Sequence, residues 1–154
     1  IEISGSVKID GQSQKVTGKG WLDREWSSQF LNRHQQGWDW FALRLDDGSA
    51  LMLFQLRSNI QEKSFFSARR MYPDGRGHNI ESQAITMKAT DWHQIGESSY
   101  PVAWQIAIPS EQLNLTISPL NPNSLMPLSV RYWEGPIQIS GSHQGQGYME
   151  LTGY

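Results

Sequence analysis

Two short tracts concentrate the side chains that could do chemistry: Trp21-Leu22-Asp23-Arg24-Glu25-Trp26 and Gly37-Trp38-Asp39-Trp40-Phe41, answered near the far end by Trp133-Glu134. Indole N–H groups need an acceptor once dehydrated, and a carboxylate taken out of water needs a partner. Aromatic rings tipped with donors beside carboxylates are the chemistry of a lined pocket. If Trp21 to Trp26 is extended, period two puts Trp21, Asp23 and Glu25 on one face and Leu22, Arg24 and Trp26 on the other. Turned inward, Asp23 would lose solvent, hold a proton near neutral pH and be able to donate it to an alkene or carbonyl. The competing role is structural: a carboxylate locked to an arginine such as Arg24, Arg57 or Arg131.

Asp39 shares a face with Phe41 and Leu43, opposite Trp38 and Trp40. The pattern predicts a position at the rim of a strand, with a buried ion pair as the alternative. Arg57 ends an apolar strand, and pairing with a carboxylate is its expected role. Tyr148 and Glu150 share a face and are candidate pocket groups with Trp21, Trp38, Trp40 and Trp133.

The elements that must position these residues read as nearly all β. Short alternating segments are separated by turn signals at Asp10-Gly11, Asp47-Gly48 and Asp74-Gly75. The clearest hairpin joins Trp38–Leu45 to Ala50–Arg57. Further strands are predicted near 1–9, 13–26, 65–72, 84–91, 102–108, 113–118, 128–133, 137–142 and 148–152, a set that suits a barrel or a sandwich. Val102, Trp104, Ile106 and Ile108 alternate with smaller or polar residues, so that wall has one wet side. The central hairpin is apolar on both faces and asks for a cover, either a loop or a second domain; the second is favoured. Ser27 to Gln35 is either a short helix or a loop.

With 154 residues the chain fits one domain over residues 1–154. Thirteen basic against fifteen acidic side chains leave no electrostatic footprint for nucleic acid. The absence of cysteine excludes disulfides, thiolate nucleophiles and cysteine-based metal sites. The longest apolar stretch, 50–54, is far short of a spanning helix, and the amino terminus carries no signal-peptide pattern. The Gly-x-Gly starts at Gly18, Gly75 and Gly145 lack a third glycine, no Gly-x-Ser-x-Gly elbow occurs, and His34, His78, His93 and His143 lack ligand spacing. Neither a metal nor a cofactor is expected.

The blocks 18–26, 37–41 with Leu45-Asp46-Asp47-Gly48 and Arg57, and Tyr132-Trp133-Glu134-Gly135 with 147–154 resemble the AttH and carotenoid-hydratase family in order and spacing. That resemblance implies a lipocalin-like antiparallel β-barrel of about ten strands, similar to the carboxy-terminal one of two tandem domains. It also implies partners: an apolar or isoprenoid-like small molecule, an amino-terminal lipocalin-like domain and ABC transporter components, in the periplasm or cell envelope. Some members are described as predicted hydrolases. In the hydratase branch, the aspartate matching Asp23 is implicated in protonating an isoprenoid double bond. That branch has tyrosine where this chain has Trp21, which removes a phenolic donor, and its other active-site groups lie upstream of the matched block.

Three functions follow as expectations. The leading one is an apolar-ligand domain of an exported, transporter-associated protein. The second is a hydratase or isomerase using Asp23 as general acid, with groups from another domain completing the site. The third is a structural or interaction module built on the Trp38 to Arg57 hairpin.

Overall fold

The computed structural model describes residues 1–24, 31–60 and 64–154, which form two compact units, Ile1–Phe30 and Leu31–Tyr154. In the first, β1 (Glu2–Ile9) and β2 (Gln12–Lys19) pair as an antiparallel hairpin whose residues are all exposed. Asp10 and Gly11 take positive φ at its turn, 50° and 81°, as a two-residue hairpin connection requires. The strand expected to run on to Trp26 stops at Lys19. Residues 21–24 lie outside any strand, and Glu25 and Trp26 lie outside the described residues, as do residues 27–30 of the Ser27–Gln35 segment, whose residues 31–34 form no helix.

The second unit is one curled, antiparallel half-barrel sheet. Its strands are β3 (Gln35–Leu45), β4 (Ala50–Ser58), β5 (Phe65–Met71), β6 (Gly77–Ile80), β7 (Thr86–Ile95), β8 (Ser98–Ile108), β9 (Leu113–Pro119), β10 (Leu125–Met126), β11 (Tyr132–Gly141) and β12 (Gly145–Thr152). They lie in the order β6-β5-β4-β3-β12-β11-β9-β8-β7, with β10 paired to β11. The expected break between 128–133 and 137–142 is absent, because Tyr132 to Ile139 pair without interruption against β12. The hairpin of β3 and β4 forms as expected. Asp47 Oδ1 accepts from the Ser49 amide at 2.8 Å and the Ser49 hydroxyl at 2.6 Å, and Gly48 takes φ 82°.

Period-two alternation decides the core. Phe41, Leu43, Leu51, Leu53, Ile106, Leu115, Ile117, Ile137, Ile139 and Met149 are fully buried on the concave face, with Phe41 edge-on to Trp104 at 5.6 Å. The interior of the curl is therefore packed with side chains.

One margin of the sheet is tied by Arg70, which is 7% exposed. Its guanidinium reaches Asp47 Oδ2 at 2.8 Å, Glu111 Oε2 at 3.3 Å, the Glu111 carbonyl at 3.2 Å and Ser49 Oγ at 3.3 Å. It thereby joins β5 to the β3–β4 turn and to the short 3₁₀ turn Pro109–Glu111. Burial by itself would raise both carboxylates, but donors from Ser49 and Arg70 hold Asp47 low, and His78 and Arg70 hold Glu111 low. Arg70→Met keeps the apolar stem and removes every one of these donors. Urea unfolding at pH 7 is expected to show a loss of about 2–3 kcal/mol, from charge-assisted hydrogen bonds left unmade; an unchanged midpoint would show that the tie is ornamental.

Candidate functional site

The strand register places two chemically different surfaces back to back around β3. On the concave side, Asp39 stands beside Leu151 of β12 and Gln55 of β4 and has no exposed surface. The rim position expected from its pattern is corrected here, because the curl carries this end of β3 under the last residues of the chain. Arg57 Nε lies 3.2 Å from Asp39 Oδ2, an ion pair poorly aligned for a hydrogen bond. The Tyr154 hydroxyl donates to Asp39 Oδ1 at 2.7 Å, and the Arg57 guanidinium lies 3.8 Å from the centre of the Tyr154 ring while donating to the Thr152 carbonyl. Tyr154 also packs against Tyr100 at 5.9 Å and Trp92 at 5.7 Å, so it joins β3 and β4 to β7 and β8. Gly153 makes this approach possible: it holds φ 76°, and a Cβ there would collide with the Gln36 carbonyl oxygen.

Loss of solvent pushes the Asp39 carboxyl up to about 6 against the opposing pull of Arg57 and the Tyr154 hydroxyl. Burial, followed by the Asp39 charge, raises the Tyr154 phenol, so it remains a donor. Asp39 is thus a structural ion-pair member with Arg57, as its residue type allowed. Its complete burial keeps it from touching a ligand in this arrangement.

The convex side carries most of the residues singled out as pocket candidates. Across β11, β12, β3, β4 and β5, the register aligns Tyr132, Thr152, Trp38, Leu56 and Phe65 in one row. Glu134, Glu150, Trp40, Phe54 and Ser67 form the next, and Pro136, Tyr148, Ala42, Met52 and Arg69 a third. Trp38 Nε1 donates to Glu150 Oε1 at 2.8 Å, and its ring lies 6.1 Å from Tyr132. Glu134 and Glu150 stand directly opposite each other, a like-charge pairing that costs stability unless each is separately engaged. Tyr148 hydrogen-bonds to Glu134, and burial together with the two carboxylates raises its phenol, so it stays protonated. The face therefore offers aromatic area punctuated by carboxylates already oriented by an indole and a phenol.

Trp38, Trp40, Tyr148 and Glu150 are brought together here. Trp133 is not: it is fully buried on the concave side, with its Nε1 donating to the Pro122 carbonyl at 2.7 Å, because its strand parity matches Leu151 and Asp39. Trp21, Asp23 and Arg24 belong to the first unit. Asp23 is exposed and accepts from the Arg24 amide at 3.0 Å, so the inward-facing strand that its acid role required is absent. Tyr132, Phe54, Leu56 and Phe65 were missed as site residues; their parity relative to Trp38 was the available signal. Among the described residues, no three His, Asp or Glu side chains converge as a metal site.

The raised Asp39 value has a definite sign. Because its folded value exceeds the unfolded 3.8, the folded chain takes up this proton first as pH falls through about 6, and stability rises toward pH 4–5. The shift of about two units is worth about 3 kcal/mol. Asp47 and Glu111 act oppositely, and their stabilisation is lost only as pH falls further, below ordinary carboxylate values. Thermal unfolding from pH 7 to 4 is expected to show this rise in the native protein and a flattened profile in Asp39→Asn. Parallel profiles would remove Asp39 as the titrating group.

The family model described as AttH-like matches residues 1–154. A crystal structure of a Nitrosomonas europaea protein described as a candidate AttH is 33% identical, with a TM-score of 0.88 over 99% of this chain and 49% of its own. Kievitone hydratase from Nectria haematococca shares the fold at 17% identity, with a TM-score of 0.80 over 97% of this chain and 49% of its own. This chain thus spans about half the length of these two solved proteins. No curated protein matches it. Matched along its whole length and built on a lipocalin-like fold, the chain belongs to the AttH-like family.

Proposed function

We propose that this chain is an apolar-ligand-handling part of an AttH-type protein, and that the convex face of β11, β12, β3, β4 and β5 is where the ligand lies. The observation that carries this reading is the separation of roles across one sheet. The concave interior is filled with packed side chains, while the opposite face spends Trp38, Trp40, Phe54, Leu56, Phe65, Tyr132 and Tyr148 outside that core. Apolar area removed from water contributes about 25 cal/mol per Å², which is enough for affinity without metal or cofactor. The burial of the core side chains on the concave side supports a ligand position on the outer face rather than in the aromatic cavity expected from the sequence. An amino-terminal lipocalin-like domain of the same protein is the partner that would close over this face. The family resemblance supports a cell-envelope location beside an ABC transport system.

A second reading is hydration of an isoprenoid-like double bond, supported by the hydratase that shares the fold. Asp23 would donate a proton to one alkene carbon, water would add to the other, and the added water would return a proton to the carboxylate. Because Asp23 is exposed, holding that proton near neutral pH requires a cover that excludes solvent. Asp23→Asn in full-length protein should abolish turnover on this reading and leave ligand retention intact.

Native mass spectrometry of the full-length protein from its own host tests the leading reading. A stoichiometric apolar ligand is expected, with occupancy reduced at least tenfold by Trp40→Asp, which places a second charge beside Glu150. An empty protein, or equal occupancy in the variant, would overturn it.

A further inference from the structure

The hairpin of β1 and β2 sorts its side chains completely by face. Residues directly opposite in an antiparallel pair share a face, and neighbours along one strand do not. The pairs Ile3 with Gly18, Gly5 with Val16, Val7 with Gln14 and Ile9 with Gln12 therefore gather every apolar strand residue on one side. Glu2 with Lys19, Ser4 with Thr17, Ser6 with Lys15 and Lys8 with Ser13 put every strand charge on the other, where Lys19 pairs with Glu2. Such segregation is the pattern of a sheet with one dry face. Yet Ile3, Val7, Ile9 and Val16 are between 37% and 52% exposed, and a two-stranded hairpin by itself is marginal in water.

Two glycines shape that face. Gly5 and Gly18 are diagonal neighbours within it, and neither takes a positive φ. Apart from their chain neighbours, no described residue comes within 4 Å of where a Cβ would stand on either. Glycine inside a strand weakens it and marks a place where another chain comes close. Between Ile3, Val7 and Val16 the pair leaves a notch that a projecting side chain can enter. The charges narrow the choice of partner. Lys8, Lys15 and Lys19 point away from whatever the apolar face meets, which disfavours a lipid headgroup surface. A flat face of β-branched residues instead matches another sheet stacked at about 10 Å.

The Nitrosomonas europaea protein shares its fold with 99% of this chain and is about twice as long, so the hairpin belongs to the shared part. We propose that the apolar face of the β1–β2 hairpin docks on the sheet of the amino-terminal lipocalin-like domain, with a side chain of that domain seated in the notch at Gly5 and Gly18. The proposal rests on the reading above only for the existence of that domain, and it is independent of any ligand.

Hydrogen–deuterium exchange of the full-length protein, read by mass spectrometry, tests it. Amides of residues 2–9 and 12–19 are expected to exchange about a hundredfold more slowly than an unstructured peptide. Gly5→Val gives the decisive sign. A β-branched residue strengthens a free hairpin, whose protection would rise. In the docked hairpin it fills the notch, so protection is expected to fall about tenfold, together with that of one sheet surface in the amino-terminal domain. Val7→Lys should do the same, and Lys8→Ala, on the charged face, should change neither. Hairpin amides that exchange freely, that gain protection in Gly5→Val, or that lose it with no change in the amino-terminal domain would overturn the docking. Protection that fades on dilution as a dimer dissociates would overturn it in favour of a second copy. Protection that appears only with anionic phospholipid vesicles would do so in favour of a membrane. Native mass spectrometry of the same sample separates the two readings: a protected hairpin in a ligand-free protein leaves the docking standing and removes the ligand.

Discussion

A carboxylate with no exposed surface must be compensated, and much of this sheet's geometry can be traced to how Asp39 is. The Arg57 charge, the Tyr154 hydroxyl and the Thr152 carbonyl meet around it. Removing one member of such a pair leaves an uncompensated buried charge and is far costlier than the pair is stabilising. Asp39 is therefore better regarded as a constraint than as a source of stability. It holds the segment after β12 at a defined place, and it does so through Gly153, where only a residue without Cβ clears the Gln36 carbonyl.

That constraint also orients the opposite face. Strand parity is rigid, so fixing Asp39 inward fixes Trp38 and Trp40 outward. Thr152, one residue from Leu151, accepts the Trp38 amide at 3.0 Å and keeps Trp38 in register with Tyr132 and Leu56. Trp38 then reaches Glu150, and Tyr148 reaches Glu134. The polar knot within and the aromatic grid without are two sides of one register, so a slip by a single residue would exchange them.

The two arginine ties differ in their chemistry. Arg70 is matched by carboxylates kept low by donors, whereas Arg57 faces a carboxyl that burial holds near 6. The first strengthens as its acid groups ionise, whereas in the second burial works against ionisation of the carboxyl and Arg57 and the Tyr154 hydroxyl favour it.

The amino-acid sequence by itself determined the all-β class, the β3–β4 hairpin with its Asp-Gly turn, and the alternation of Val102, Trp104, Ile106 and Ile108, because turn chemistry and period two are local properties. Family likeness was legible in the blocks around Asp23, Trp38 and Tyr148. Tertiary structure alone decided that Asp39 is buried, that Trp133 sits apart from Trp38 and Trp40, and that Leu56 and Phe65 continue their row. Those facts depend on which strand lies beside which and on how far the sheet curls. Residues more than a hundred positions apart, such as Trp38 and Glu150, meet only through that pairing, and no local pattern encodes it.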